Sequence, residues 1–267
     1  MPERLLNFTK ASACGNDFLL VQASDLPDAK SEDLAELSRR LCDRHNGIGA
    51  DGVEWLYSDS DHDIRARLFN ADGSEAEISG NGTRCVAAYL VQQAGLKEVR
   101  ILTGAGTKIC RLLRREGWQF HFSMEMGEAE VAGERQLEVN GKKIKGHVVS
   151  TGNPHFVIFV EQFPAKWQEQ AAAISTHKAF LQGTNVELVR IMNPNAVEFR
   201  IYERGAGETQ SSGTGSCASA IAAIYAGRVK SPVEVRAPGG VQTVRWDRHS
   251  LELEGDADLL GRGEFFL

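Results

Sequence analysis

Residues Leu68 to Leu90 read LFNADGSEAEISGNGTRCVAAYL and combine three local signals. An alternating strand comes first, a polar turn rich in Gly and Asn follows, and an apolar helix should begin near Ser79. The turn Ser79–Thr83 places unpaired backbone N–H groups at the helix N-terminus, where a carboxylate or phosphate binds favourably. One such turn is equally an ordinary glycine-rich cap, so it does not define a site alone.

The same arrangement returns in the second half of the chain. The segment FRIYERGAGETQSSGTGSCASAIAAIYAG surrounds Ser212, which follows Ser79 by 133 residues, and Glu203 follows Asn70 by the same offset. Further matches in the same order join 15–21 to 152–157, 49–54 to 183–187, and 99–106 to 233–240. Ordered self-similarity indicates an internal repeat. The chain is therefore predicted to be two superposable copies of one unit, with the Ser79 and Ser212 oxygens flanking one carbon of a small ligand.

Composition restricts the class of protein. The chain has 267 residues, enough for two domains with their own cores, and its 42% hydrophobic and 25% charged content is that of a soluble globular protein. The net charge of −6 and the lack of a dense Lys/Arg run argue against a nucleic-acid partner. No apolar run approaches the roughly 20 residues of a membrane span. The N-terminus lacks the apolar core of a signal peptide, so a cytoplasmic location is expected.

The cysteines and histidines do not form a recognisable cluster. Five cysteines, an odd number without paired spacing, argue against a disulfide scaffold. The sequence contains no CxxC or HExxH, and its seven His are scattered, so no metal site is predicted. Cys85 falls inside the first apolar helix and is predicted to be a core thiol.

The remaining chain reads as strands and short helices without a low-complexity linker. Ser31 is predicted to cap a helix, and Gly95 is predicted to end the helix that follows Ser79. A second copy should begin near Glu130 and include a helix over 165–175. The helix after Ser212 is apolar nearly all round, so strands should cover most of its sides.

A family resemblance rests on six segments. GNDF, NADGSEAE, GNGTRC, GNPHFV, TNVE and YERGAGET…GTG stand in the order and spacing of diaminopimelate epimerases, and the chain resembles that family from end to end. The resemblance implies an α+β fold of two pseudo-symmetric domains, each an antiparallel sheet or barrel curled around a central helix. The expected domains are residues 1–125 with the C-terminal strand 257–267, and residues 126–256, with the active site in the cleft between them.

The resemblance also implies an activity. Members of the family are cytoplasmic, often homodimeric enzymes of lysine and peptidoglycan-precursor synthesis. They interconvert LL- and meso-diaminopimelate without pyridoxal phosphate, so an amino-acid substrate and no cofactor are expected. One base removes the α-proton on one face of the substrate, and an acid returns a proton on the other face.

Site residues follow by position. The resemblance assigns the cradle of the α-carboxylate to Gly80, Asn81, Gly213 and Thr214. Other positions that match the family's substrate-binding residues are Asn16, Asn70, Asn153, Asn185, Glu203 and Arg204. Arg204 suits a carboxylate, whereas Glu203 and the amides suit ammonium groups. The alternatives are an ordinary turn residue for each Asn, and a surface ion pair for Glu203 with Arg204.

The chain departs from the family at its acid and base. The family has a cysteine before the Gly of each turn, and this chain has Ser79 and Ser212. A thiol has a reference pKa of about 8.5, which a helix N-terminus lowers further, whereas a hydroxyl ionises far less readily. The motifs contain no Lys that could activate the serines, and their one His, His155, could lie nearby. The pair is predicted to bind substrate but to epimerise it poorly or not at all.

Three explanations of the serines remain open. They are introduced Cys→Ser changes, a natural relative with weak, altered or lost activity, or another thiol, such as Cys14, that does part of the work. The substrate also remains open, because related folds include proline racemases, hydroxyproline epimerases and a histidine racemase. Asn81 and the run Tyr202–Arg204 favour diaminopimelate over proline. The function is therefore either that of an amino-acid epimerase or that of a non-catalytic binding protein.

Overall fold

A computed structural model describes residues 5–26 and 30–267. Contacts divide the chain into unit 1, Met1–Met124 with Gly255–Leu267, and unit 2, Glu125–Glu254. The expectation that the chain forms two domains with boundaries at 125/126 and 256/257 stays a prediction.

Unit 1 surrounds its longest helix with strands. Its elements are β1 (Leu5–Ala13), β2 (Asn16–Gln22), a 3₁₀ turn (Ala23–Asp25), α1 (Ser31–Cys42), β3 (Gly52–Tyr57), β4 (Ile64–Asn70), β5 (Glu75–Ala76), α2 (Gly80–Ala94), β6 (Glu98–Thr103), β7 (Gly106–Glu116) and β8 (Gln119–Glu125). The strands pair in the order β1–β2–β3–β4–β6–β7–β8, with the short β5 on β4.

Unit 2 repeats this order. Its elements are β9 (Glu130–Val139), β10 (Lys142–Ser150), β11 (Pro154–Phe159), α3 (Trp167–Ser175), β12 (Asn185–Asn193), β13 (Ala196–Glu203), β14 (Gly207–Thr209), α4 (Gly213–Tyr225), β15 (Val233–Ala237), β16 (Gly240–Trp246) and the start of β17 (Leu251–Phe266). The strands pair in the order β9–β10–β11–β12–β13–β15–β16–β17. The later part of β17 pairs with β1 and β8 and closes the strand ring of unit 1.

The two units share one pattern of strand direction, which confirms the pseudo-symmetric α+β fold. The sheets are mixed, however, and not purely antiparallel as the sequence suggested. In unit 1, β2–β3 and β4–β6 are parallel, and in unit 2, β11–β12 and β13–β15 are parallel. Parallel neighbours require a crossover, and the helices α1, α2, α3 and α4 supply these connections.

The helices that follow the two serines form the centres of the units. Every residue of α4 from Gly213 to Ala223 is buried, as the apolar sequence predicts, and α2 is buried from Gly80 to Ala88. Gly95 ends α2 in the left-handed conformation with φ 67°, which glycine adopts without strain. No helix in residues 5–26 and 30–267 is long and apolar enough to cross a membrane.

Two helix starts differ from the sequence prediction. Ser31 is the first residue of α1 and not its cap, because Lys30 holds the cap position and donates its backbone N–H to Asp33 Oδ2 at 2.8 Å. The helix predicted from residue 165 begins at Trp167. Cys85 is fully buried, and this burial raises its pKa, which confirms a core thiol.

Gly47 lies where the chain leaves α1, and a side chain there has no room. A methyl group on Gly47 would lie 2.8 Å from the carbonyl oxygens of Leu41 and Asp43 and closer still to that of Arg40. These oxygens belong to a hydrogen-bonded helix end and cannot move freely. We expect Gly47→Ala to lower the free energy of unfolding by about 1–3 kcal/mol, as measured by urea denaturation.

The matched control for this prediction is Gly261→Ala. No atom lies within 4 Å of a methyl group at Gly261, so the free energy of unfolding should change by less than about 0.5 kcal/mol. Equal effects of the two substitutions would contradict the steric argument.

Candidate active site

Ser79 and Ser212 occupy the same position in the two units. Each is the N-cap residue of its central helix and has extended backbone angles. The Ser79 hydroxyl accepts the N–H of Gly82 at 3.2 Å, and the Ser212 hydroxyl accepts that of Gly215 at 3.3 Å. Serine is well suited to this capping role. Each helix end retains the partial positive charge that favours a bound anion.

The predicted cradle residues lie in the first turns of these helices. Gly80 and Asn81 are buried at the start of α2, and Gly213 and Thr214 are buried at the start of α4. The prediction that Ser79 and Ser212 flank a single carbon concerns residues of different units and stays a prediction.

In unit 1, Asn16 is oriented toward the first turn of α2. Its amide Nδ2 donates to Asp51 Oδ2 at 2.6 Å, which leaves its Oδ1 facing Asn81 Nδ2 at 3.5 Å. Arg44 holds Asp51 through an ion pair of 2.8 Å. The structure therefore brings Asn16 and Asn81 together and fixes the Oδ1 of Asn16 as the acceptor that faces Asn81.

Arg84 is a buried cation beneath this turn that the sequence analysis missed. Its Nη2 donates to Asn81 Oδ1 at 2.6 Å and its Nη1 to the carbonyl of Gly80 at 3.1 Å. Nη2 also lies 3.9 Å from the sulfur of Cys14, a half-buried residue in the left-handed conformation with φ 51°. In the alternative in which Cys14 does part of the chemistry, its thiol therefore contacts the guanidinium of Arg84, close to the predicted carboxylate cradle.

Asn70 is engaged elsewhere in unit 1. Its backbone N–H donates to the carbonyl of Ser74 at 2.8 Å, and its side chain donates to the Ser74 hydroxyl at 3.0 Å. These bonds close the turn after β4. The described contacts do not join Asn70 to Asn16 or to Ser79, so its role in binding stays a prediction.

In unit 2, Ser212 lies beside the carboxyl group of Glu203. Burial raises the pKa of Glu203, while hydrogen bonds from Thr209 and Ser212 lower it by smaller amounts. Thr209 Oγ1 donates to Glu203 Oε1 at 2.6 Å. Arg204 instead donates from Nη1 to the carbonyl of Gln182 at 2.9 Å, so the described contacts do not pair it with Glu203. Glu203 is thus placed to exchange a proton with Ser212.

A buried His–Glu pair orients Asn153. His155 Nδ1 lies 2.6 Å from Glu187 Oε1, and His155 Nε2 lies 2.8 Å from Asn153 Oδ1. Asn153 Nδ2 donates to the Thr214 hydroxyl at 3.3 Å, which itself lies 3.4 Å from Ser212 Oγ. Asn153 Oδ1 can only accept a hydrogen bond, so this contact assigns the donor role to His155 Nε2, while Nδ1 faces the Glu187 carboxyl group. Burial raises the pKa of Glu187, and His155 opposes that shift.

Asn185 connects two strands of unit 2 at their ends near these residues. Its Oδ1 accepts the backbone N–H of Arg204 at 2.9 Å, and its Nδ2 donates to the carbonyl of Pro154 at 3.1 Å. These bonds fix the backbone at Arg204, whose side chain is exposed. Substrate contact by Asn185 stays a prediction.

The repeat reveals a difference between the two sites. Asn70 of unit 1 stands where unit 2 has Glu203, and Phe18 aligns with His155 at the same register position of the parallel pair. Both units keep a buried glutamate on the neighbouring strand, Glu54 and Glu187. The segments GADGVE and GTNVE carry these two glutamates, so the repeat was the signal that could have singled them out.

Comparison with known proteins agrees with this architecture. The family model for diaminopimelate epimerase matches residues 8–132 and 147–259. A diaminopimelate epimerase from Pelotomaculum thermopropionicum is 38% identical over 97% of this chain and 99% of its own length. One from Halothermothrix orenii is 36% identical over 98% of each chain.

Solved structures share the fold at low sequence identity. A hydroxyproline epimerase from Agrobacterium vitis, with bound trans-4-hydroxy-L-proline, has a TM-score of 0.75 and 17% identity over 100% of this chain and 93% of its own. A PhzF-family phenazine biosynthesis protein from Bacillus anthracis has a TM-score of 0.72 and 17% identity over 98% and 99%.

Two repeated α+β units, each with a capped helix N-terminus at its centre, are the fold that the chain shares with these structures. The matches to diaminopimelate epimerases place it in the class of pyridoxal-phosphate-independent amino-acid epimerases. Within that class, the chain belongs to the diaminopimelate epimerase family.

Proposed function

We propose that this chain binds diaminopimelate and exchanges its α-proton slowly, as an impaired epimerase. The observation that carries the proposal is the pair of serine caps, in equivalent positions, on two buried helix N-termini in a chain of this family. In this proposal the first turns of α2 and α4 bind the α-carboxylate and stabilise the charge that develops on the carbanion.

The other site residues have complementary roles. Glu203 accepts a hydrogen bond from the substrate's ammonium group, and Arg204 binds a substrate carboxylate. Asn16 presents an oxygen and Asn153 presents an NH₂ group, so the two amides select opposite ends of a zwitterion. Asn70 and Asn185 complete the set of substrate-binding positions.

The serines explain why turnover is slow. Each hydroxyl already accepts a backbone N–H, and a hydroxyl becomes a proton acceptor only beside a base. Ser212 has Glu203 beside it, whereas Asn70 replaces that carboxyl group in unit 1. The two faces of the substrate are therefore treated unequally, and inversion is slower than exchange on the Ser212 side.

Isothermal titration calorimetry tests the binding. LL- and meso-diaminopimelate should bind, and Glu203→Gln should weaken them at least about tenfold, since a charged hydrogen bond contributes about 1.5–3 kcal/mol. Proline and trans-4-hydroxyproline are the comparison ligands. Binding of proline in preference to diaminopimelate would move the chain to another specificity, and binding of neither would reject the proposal.

A cytoplasmic location and a homodimer are further parts of this proposal. Both follow from the family to which the chain belongs, and analytical ultracentrifugation would test the second. A non-catalytic binding protein is the second candidate, because capping alone gives both serines a complete structural role. Diaminopimelate binding without any α-proton exchange would favour that candidate.

A further inference from the structure

Glu54 is a buried acid that the roles above leave unused. Its side chain extends from β3 into the interior of unit 1 and is 3% exposed. The described contacts include no hydrogen bond or ion pair to its carboxyl group, and burial is the sole cause that raises its pKa to about 8. Burying an acid without a hydrogen-bond partner costs folding free energy, and buried acids with strongly shifted pKa values are common at functional sites.

The side chains of Glu54 and Ser79 both lie against Gly82. Ser79 Oγ accepts the N–H of Gly82, and Glu54 Oε1 lies so close to Gly82 that a methyl group there would overlap it. Phe18 covers the same place, with Cε1 3.3 Å from that methyl position. The carboxyl group therefore lies against the first turn of α2, the turn that Ser79 caps.

The second unit shows the same neighbours with a different partner. A methyl group on Gly215 would lie 3.2 Å from both Glu187 Oε1 and the Cβ of Ser212. Glu187 is nevertheless bound to His155, whereas Phe18 takes that histidine's place beside Glu54. Unit 1 thus places Glu54 against the turn that its serine caps, without the histidine partner that Glu187 has in unit 2.

We propose that Glu54 is the proton-exchange partner of Ser79, a positioning residue that acts on the substrate through the Ser79 hydroxyl. When the Cα–H bond breaks, Ser79 Oγ takes that proton and its own hydroxyl proton passes to the Glu54 carboxylate across the first turn of α2. The electron pair of the broken bond stays on Cα. Reversal of both transfers returns a proton to the carbon, so the step consumes no other reactant.

This inference rests on the proposed function, and it assigns unit 1 the base that Asn70 does not supply. The pKa of buried Cys85 responds to the charge of Glu54 together with those of three other titratable groups. They are Arg84 on α2, Cys14 in the β1–β2 turn and Asp258 on β17. None of the three is a cause of the raised pKa of Glu54, for which burial alone accounts.

The test is α-proton exchange into D₂O, followed by NMR on LL- and meso-diaminopimelate with the full chain. The slow rate of the unaltered chain should rise with pH up to about 8, as Glu54 becomes a carboxylate, and then level off. Glu54→Gln should lower exchange on the substrate face that Ser79 serves at least about tenfold and remove its pH dependence, while exchange on the Ser212 face should persist. The affinity for diaminopimelate should stay within twofold, because Glu54 does not touch the substrate.

Two further variants separate chemistry from packing. Glu54→Asp keeps the carboxyl group and should retain the rise with pH at a reduced rate. Cys85→Ala alters a buried neighbour without changing charge and should keep the pH profile even if the fold is less stable. A merely structural Glu54 would change stability and leave the shape of the profile intact.

The outcomes distinguish the inference from the function on which it rests. Failure of the unaltered chain to bind diaminopimelate would overturn the proposed function and the inference with it. Normal binding and measurable exchange, with an unchanged pH profile in Glu54→Gln, would overturn the inference alone. Normal binding with exchange at the solvent background would overturn both and favour the non-catalytic binding protein.

Discussion

The double variant Ser79→Cys, Ser212→Cys is expected to interconvert LL- and meso-diaminopimelate at least about 10²–10⁴ times faster than the unaltered chain. Thiols at helix N-termini have lowered pKa values and accept a carbon-bound proton readily. A thiol is also small enough to stand at the same two turns. The measurement is the change in optical rotation or chiral chromatography of the product mixture.

Single variants provide the control for this prediction. Ser79→Cys alone should exchange deuterium at the α-carbon on one face without efficient inversion, because only one side then has a competent base. Failure of a folded double variant to act on any amino acid would show a site diverted to another role. Substantial turnover by the unaltered chain would show that serine, or Cys14, is sufficient.

The second large effect concerns stability and pH. Glu54 has its pKa raised from 4.5 to about 8 in the folded chain, so the folded state holds its proton more tightly than the unfolded state does. The stability linked to that proton is fully present below about pH 4.5 and is lost as pH rises to about 8. The shift corresponds to an upper bound of about 4–5 kcal/mol, since each pKa unit is worth about 1.4 kcal/mol.

Glu54→Gln is therefore expected to be increasingly stabilised relative to the unaltered chain between pH 5 and pH 8. Urea denaturation of both proteins at intervals of half a pH unit would measure the difference, and other titrating groups cancel in the comparison. The difference should level off above pH 8. A constant difference over the whole range would mean that Glu54 is already ionised in the folded chain.

Local signals were sufficient to predict the helices at the centre of each unit. The Ser-Gly-x-Gly turns before apolar runs predicted both starts, and Gly95 predicted one end, because capping and left-handed glycine are properties of a few neighbouring residues. The repeat offset predicted two alike units. The start of α1 was predicted less well, because Ser31 is the residue type that favours a cap, whereas Lys30 holds that position through the bond of its backbone N–H to Asp33.

Strand direction was beyond the reach of the sequence. An alternating strand has the same pattern whether its neighbour is parallel or antiparallel, so the parallel pairs β2–β3 and β11–β12 became visible only in the folded sheet.

The site divides in the same way. The sequence by itself determined the two serines, the glycine-rich turns and the family, because these depend on residue identity and order along the chain. Only the tertiary structure decided which groups surround each serine: Glu203 beside Ser212, and Glu54 against Gly82 without a partner. Burial and the pKa of a carboxyl group depend on side chains that arrive from distant strands, and no local pattern records that environment.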